Sequence, residues 1–256
     1  MLRTTLRSLW ARKRRLVGTA TAVVLGVAFL AATLVLGDTL DASFDDVFAE
    51  ANAGVDVVVR SDRAIDTDEG VLRDDLDLST ATGLDAVEGV EAVVPSIDGT
   101  AQLVAADGTP LGGEGPPTMG SSWIDDPILN PYAVTEGRAP SGTGEVVIDE
   151  QSAIDGDLAV GDTATVRTPE PTVGLVSFGE RTNMVGATYV GFTSEDAAAL
   201  LSHDGTASSL LVRGDGSATD EELRDAVAAA LPAGAEAITG DELTAEWGPR
   251  LTRGEA

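Results

Sequence analysis

The chain has no cysteine. Disulfides, thiolate nucleophiles and cysteine metal sites are therefore excluded, and any exported domain must be held by its apolar core. It has one lysine, Lys13, and one histidine, His203. A Walker A loop needs a lysine behind its glycines to reach the phosphates, so a P-loop ATPase is excluded. Two-histidine metal motifs such as HExxH are excluded as well. His203 falls in the last turn of an expected helix and reads as a dipole-complementing residue, not a catalytic base. Aromatic residues make up 4% of the chain, too few to frame a carboxylate pair with the sugar platforms a glycosidase uses.

Positive charge is the other scarcity, with 16 basic residues against 43 acidic ones and a net charge of −27. Six of the bases precede residue 16, which leaves ten against 43 acids and a charge of −33 beyond it. A nucleic-acid footprint needs a basic patch and is excluded, and a domain lying flat on anionic lipid is disfavoured. The acids read as a solvated surface. Acid-rich loops at Asp66 to Gly70, Asp155 to Asp157 and Gly214 to Ser217 fit no EF-hand spacing and read as solvated turns. The chain is expected to be no enzyme, with no catalytic, cofactor or metal site.

What the chain does have is one long hydrophobic run. Residues 16–37, from Leu16 to Gly37, are apolar and uncharged. As a helix they span about 33 Å at about 1.5 Å per residue, enough for a hydrocarbon core of about 30 Å. Residues 1–15 carry Arg3, Arg7, Arg12, Lys13, Arg14 and Arg15 and no acid, while Asp38, Asp41, Asp45, Asp46 and Glu50 follow the run with no base before Arg60. The positive-inside rule then puts the N-terminus in the cytoplasm and everything past Gly37 outside the plasma membrane. Leu2, Leu6, Leu9 and Trp10 make an amphipathic leader beside the arginines, suited to the inner leaflet. A cleaved secretory signal is the rival reading, and Ala49-Glu50-Ala51 has the form of a cleavage site. The run is longer than a usual signal core and ends twelve residues before Ala49, which favours an uncleaved anchor.

Residues 38–54 are expected to continue the helix as a stalk. Leu40, Phe44, Val47 and Phe48 hold a helical apolar stripe, no Pro or Gly falls between Asp38 and Asn52, and Gly54 supplies the stop. Strand patterns follow at Val55 to Arg60, with Val55, Val57 and Val59 on one face, and at EGVEAVVP. A helix is expected from Ser79 through Val87, and residues 60–77 read as a charged loop. Further strands are expected at 145–148, at LAVGDTATVRT, at PTVGLVSFG and MVGATYVGF, and at SSLLVRG and AEAIT. Short helices are expected around Asp149 to Ile154, from Thr193 or Ser194, from Thr219 with a TDEE capping box, and from Asp241 to Leu251. Trp123 and Trp247 read as core residues. The fold class is α+β: one membrane helix, then an extracytoplasmic α/β subdomain at 55–106 and 207–239, a β-rich insertion at 107–206, and a helix in 240–256 leading toward a second span.

The leader LRTTLRSLWARKRR, the acidic stalk, VDVVVR, EGVEAVVP, TEGRAPSGTGEVVIDEQSA and LAVGDT occur in one order along the chain. The most specific block runs from Gly137-Arg138 through Glu145-Val146-Val147-Ile148-Asp149 to Gly161-Asp162. In this it resembles the FtsX-like and MacB-like ABC transporter permeases of actinobacteria. The resemblance implies a porter-like subdomain with an inserted β-rich subdomain, a separate ATPase subunit, a second permease copy as dimer partner, and a role in substrate export or mechanotransmission. Further membrane helices follow the core domain in such permeases, and the chain reads as the N-terminal part of one. A single-pass membrane-anchored binding or sensor module is the alternative.

Overall fold

The computed structural model describes residues 13–67, 70–112, 118–166, 168–178, 181–182, 187–201 and 205–247. The described part of the chain divides into two units, residues 13–46 and Val47–Trp247. A single helix, α1, covers Lys13–Ala51. From Val17 to Leu36 it is exposed and apolar all round, long enough to cross a membrane, as expected of a helix whose solvent is lipid. Two of its hydroxyls bond back to the helix: Thr33 Oγ1 donates to the Phe29 carbonyl at 2.9 Å and Thr39 Oγ1 to the Val35 carbonyl at 2.7 Å.

After α1 come β1 (Val57–Ser61), the hairpin β2–β3 (Ala64–Thr67 and Gly70–Arg73), β4 (Leu76–Asp77), two 3₁₀ turns (Leu78–Ala81 and Leu84–Ala86) and β5 (Val90–Ser96). The middle of the chain forms β6 (Asp98–Thr100), β7 (Leu103–Val104), β8 (Thr118–Ser122), β9 (Tyr132–Gly137) and β10 (Val146–Asp149), then α2 (Glu150–Gly156). It continues through β11 (Thr163–Val166), β12 (Thr168–Phe178), β13 (Thr188–Phe192) and α3 (Ser194–Leu201). Last are β14 (Thr206–Ala207), β15 (Ser209–Gly214), α4 (Asp220–Ala230), β16 (Ala235–Thr239) and α5 (Gly240–Trp247).

Two sheets carry the domain. The first has the order β16-β1-β15-β5 and is antiparallel throughout. Its central strand β1 is buried at every position because both faces are covered. Val57 and Val59 pack with Leu210, Val212 and, from α4, Leu223 and Val227. Val58 packs on the other face with Ile124, Leu129 and Leu243 of α5. Val55 joins Val58 and not Val57, because it precedes the strand in the turn that closes α1, donating to the Asn52 carbonyl at 2.9 Å. The second sheet has the order β6-β8-β13-β10-β12-β11-β7, with β9 on β12. Its strands are antiparallel except for the β10–β12 and β8–β13 pairs. Val146, Ile148, Val190 and Phe192 face a core closed by Ala153 of α2 and Ala197 of α3, while Val147, Val176, Phe178, Tyr132 and Tyr189 fill the opposite face. The chain crosses from the first sheet to the second between Ser96 and Asp98 and returns between Phe192 and Ser209.

The expected helix at 79–87 is instead two single turns of 3₁₀ helix. Thr82 is extended and Gly83 has φ +90°, a left-handed conformation that stops an α-helix. Residues 64–73, expected as loop, pair as a hairpin with Ile65 opposite Leu72. The Thr219–Glu222 capping box is present on α4, and Asp149 caps α2 by accepting from Ser152 N at 2.9 Å. Trp10, His203 and residues 248–256 lie outside the described residues, as do Asp68 and Glu69 of the first acid-rich loop.

Candidate functional site

The point where α1 runs into β1 gathers the rest of the domain around it. Glu50 is ion-paired with Arg181, which lies just after β12. Ala51 packs against the Tyr132–Phe178–Tyr189 cluster of the second sheet. Asn52 Nδ2 donates to the Thr244 hydroxyl of α5 at 3.1 Å. A Cβ on Gly54 would stand 1.9 Å from the Ile128 carbonyl oxygen, so the main chain there has no room for a side chain. Asp56 completes the set: its N–H donates to the Val212 carbonyl at 3.2 Å, its Oδ2 accepts from Gly214 N at 2.6 Å, and its carbonyl accepts from Gly240 N at 3.1 Å. Over seven residues the chain is tied to α5, both sheets and the segment at 124–129.

Helix α5 is fastened at its two ends. Thr239 Oγ1 accepts from Glu242 N at 3.1 Å and Glu242 Oε2 accepts from Thr239 N at 2.9 Å, a second capping box. A Cβ on Gly240 would lie 2.1 Å from the Val55 carbonyl oxygen, which seats the start of α5 against the α1–β1 turn. Near its far end, Arg60 of β1, 6% exposed, donates to both oxygens of Glu246 at 2.7 Å and through Nε to Glu236 of β16 at 2.8 Å. Arg73 of the hairpin shares Glu236 at 2.9 Å. Burial alone would lower the Arg60 pKa, but the hydrogen bonds and charges of Glu246 and Glu236 outweigh it and hold the guanidinium charged. A buried arginine paired bidentately fixes geometry as well as charge.

A cleft of about 390 Å³ adjoins the junction and is lined by Gly54, Asp56, Ile128, Arg213 and Asp220 among others. Arg213 bridges Glu91 of β5 at 2.5 Å and Asp126 at 3.0 Å, linking the first sheet to the segment that also supplies Ile128. Burial and the neighbouring carboxylates of Asp56, Asp241 and Glu221 raise the Asp220 pKa. Among the described residues no cluster of three or more histidines or carboxylates is placed to hold a metal. The GDGS loop closes on itself, Asp215 Oδ1 accepting from Ser217 N at 2.8 Å.

The expected span limits, Leu16 and Gly37, and the stalk residues Leu40, Phe44, Val47 and Phe48 all lie on the α1 backbone; their side chains lie outside the described part. The residues that tie the junction, Asn52, Arg60, Arg181, Thr244 and Glu246, were not marked by any spacing, because their partners are more than 130 residues away. Only the TGDE run at 239–242 carried a local signal, the same capping pattern as TDEE.

The block that carries the family resemblance is structural in this fold. Arg138 donates to both Glu145 oxygens at 2.8 and 2.5 Å, and Glu145 also accepts from Ser141 and Gly142 N–H groups at 3.0 Å, clasping the turn that delivers β10. Asp149, 1% exposed, accepts from Ser152 N, from Ser152 Oγ at 2.5 Å and from Tyr189 N at 2.7 Å. Burial pushes its carboxyl up against those hydrogen bonds.

Residues 16–231 match the family model described as the MacB-like periplasmic core domain. Two solved structures share the fold. The extracellular domain of the noncanonic ABC-type transporter YknZ from Gram-positive bacteria is 12% identical with a TM-score of 0.52, over 71% of this chain and 98% of that one. The periplasmic region of MacB from Actinobacillus actinomycetemcomitans is 13% identical with a TM-score of 0.52, over 80% of this chain and 97% of that one. A search of curated proteins gives no match.

Proposed function

We propose, from the premise that this chain belongs to the MacB-like periplasmic core domain family, that it is the N-terminal part of an ABC transporter permease whose outer domain follows ATP-driven movement in the membrane. The observation that supports this reading is the junction at Glu50 to Asp56, where the end of α1 is bonded to α5, the first sheet and the second sheet at once. A helix without Pro or Gly from Asp38 to Asn52 carries displacement along its axis where a flexible linker would absorb it. Leu40, Phe44, Val47 and Phe48 are the stalk positions assigned to that coupling.

In this reading the arginine-rich leader is cytoplasmic, Leu16 to Gly37 spans the plasma membrane, and the domain is extracytoplasmic. A separate subunit supplies ATP hydrolysis, and a second permease copy completes a dimer. The work done is substrate export or mechanotransmission. In this reading the porter-like subdomain assigned to 55–106 and 207–239 holds the first sheet with α4, and the insertion assigned to 107–206 holds most of the second sheet with α2 and α3, whose β6 and β7 lie before residue 107.

Insertion of Gly-Gly-Ser-Gly after Ala42 in the permease assembled with its ATPase tests the reading. Transport or partner activation is expected to be lost while ATPase assembly and surface exposure of the domain persist. Full activity would reduce the stalk to a tether and favour an anchored binding module. Protease added to spheroplasts is expected to digest the domain and spare an N-terminal tag; protection of the domain would reverse the orientation.

A further inference from the structure

A second cleft, of about 730 Å³, lies on the second sheet between α2, β9 and the loop at 158–162. Leu158, Leu175 and Ala153 line it. Helix α2 buries Ser152, Ala153 and Gly156 and leaves Ile154, at 70% exposure, facing the same concavity. Glu136, Glu150, Asp157 and Asp162 are its charged lining, which contains no base. Among the described residues none of these four carboxylates is in an ion pair. Asp162 is occupied locally, accepting from Ala159 N at 2.9 Å, which leaves Glu136, Glu150 and Asp157 for a ligand.

We propose that this cleft binds a basic amphipathic peptide segment of a partner protein, its apolar side chains on the exposed Ile154 and its lysines or arginines on Glu136, Glu150 and Asp157. A lone exposed isoleucine is ordinary on a protein surface, and so is an acidic patch. Here an apolar lining and unpaired carboxylates share one concavity, and an amphipathic cation is what complements both. A second copy of this chain is the wrong occupant, because past residue 15 it brings ten bases against 43 acids and meets the cleft with like charge. The inference does not rest on the transport reading, since the cleft lies on the inserted sheet and uses none of the junction residues.

The full chain in neutral-lipid nanodiscs, with empty nanodiscs as the blank, is titrated with a fluorescein-labelled amphipathic peptide of lysine and leucine. Binding is read by fluorescence anisotropy beside a scrambled peptide of the same composition. The amphipathic peptide is expected to bind about tenfold more tightly than the scrambled one, and Ile154→Gln to remove about tenfold in affinity. Glu136→Gln and Glu150→Gln are each expected to cost about two- to fivefold. Asp85→Asn and Glu88→Gln, exposed acids outside the cleft, are expected to change nothing. Unchanged affinity in Ile154→Gln and Glu136→Gln overturns the proposal. Equal losses in the Asp85 and Glu88 variants overturn it too, leaving bulk acidity as the cause. Self-association abolished by Ile154→Gln would give the cleft to a second copy instead.

Discussion

Asn52 and Thr244 stand 192 residues apart in sequence and 3.1 Å apart in space, joining the end of the apolar helix to the last helix of the domain. The turn between Asn52 and Asp56 is then locked from both sides, by Ile128 against Gly54 and by Gly240 against Val55.

Arg60 is the buried charged residue that holds the far end of α5. Replacing it with Met removes three hydrogen bonds and leaves Glu246 and Glu236 facing each other without a cation between them, although Arg73 still reaches Glu236. Both carboxylates are partly exposed, so water relieves part of the cost, and Arg60→Met is expected to destabilise the domain by about 2 kcal/mol. Glu246→Gln keeps one acceptor and is expected to cost about 1 kcal/mol or less. Urea unfolding followed by circular dichroism measures both, and a loss below about 0.5 kcal/mol in Arg60→Met would show the clamp to be unimportant.

Gly54→Ala puts a methyl group 1.9 Å from a backbone oxygen, where no rotamer change can relieve the overlap. The expected cost is about 2 kcal/mol or more, from overpacking in a tight contact. Gly18→Ala, where a Cβ meets nothing within 4 Å, is the matched control and is expected to leave the domain unchanged. Equal melting temperatures for the two variants would contradict the close approach at Ile128.

The Arg138–Glu145 clasp predicts a pH dependence. Hydrogen bonds from Arg138 and then from the Ser141 backbone pull the Glu145 pKa from its ordinary 4.5 down to about 2. The folded state therefore binds fewer protons than the unfolded one between those values, so the clasp stabilises above about pH 4.5 and fades as the pH falls toward 2. The difference in melting temperature between the native chain and Glu145→Gln is expected to be constant from neutral pH to about 5 and to close below it. A gap independent of pH would mean that the carboxylate charge is not what holds the turn.

Much of this fold was legible because the signals were local. Runs of valine marked β1 and β10 as strands, although the burial of β1 on both faces was not marked, and TDEE marked the start of α4. The apolar run before Asp38 announced α1 from length and charge asymmetry alone. Residues 78–87 were misleading because Leu84 and Val87 keep helical spacing while Thr82 and Gly83 break the backbone between two short turns. The hairpin at 64–73 was hidden because its paired apolar residues, Ile65 and Leu72, are both exposed, so no face alternates against a core. At the junction only the helix stop at Gly54 and the TGDE capping pattern were legible, and the ties themselves were not. Its ties are single polar side chains meeting across most of the chain, and no spacing encodes that.

The aromatic pair beside the junction separates a satisfied hydroxyl from an unsatisfied one. Tyr132 and Tyr189 stack with ring centroids 3.7 Å apart, and both are buried. Tyr189 shares a hydrogen bond with Ser121 Oγ at 2.9 Å, whereas the Tyr132 hydroxyl has no partner among the described residues. Tyr189→Phe gives up that bond and leaves Ser121 short of a partner, so it is expected to destabilise by about 1 kcal/mol. Tyr132→Phe gives up only a desolvated hydroxyl and keeps the ring against Phe178 at 5.7 Å, so it is expected to stabilise by up to about 1 kcal/mol. Paired denaturation curves of the two variants decide the matter. If Tyr132→Phe costs as much as Tyr189→Phe, an ordered water holds the Tyr132 hydroxyl, and the buried face of the second sheet next to Ala51 is wet.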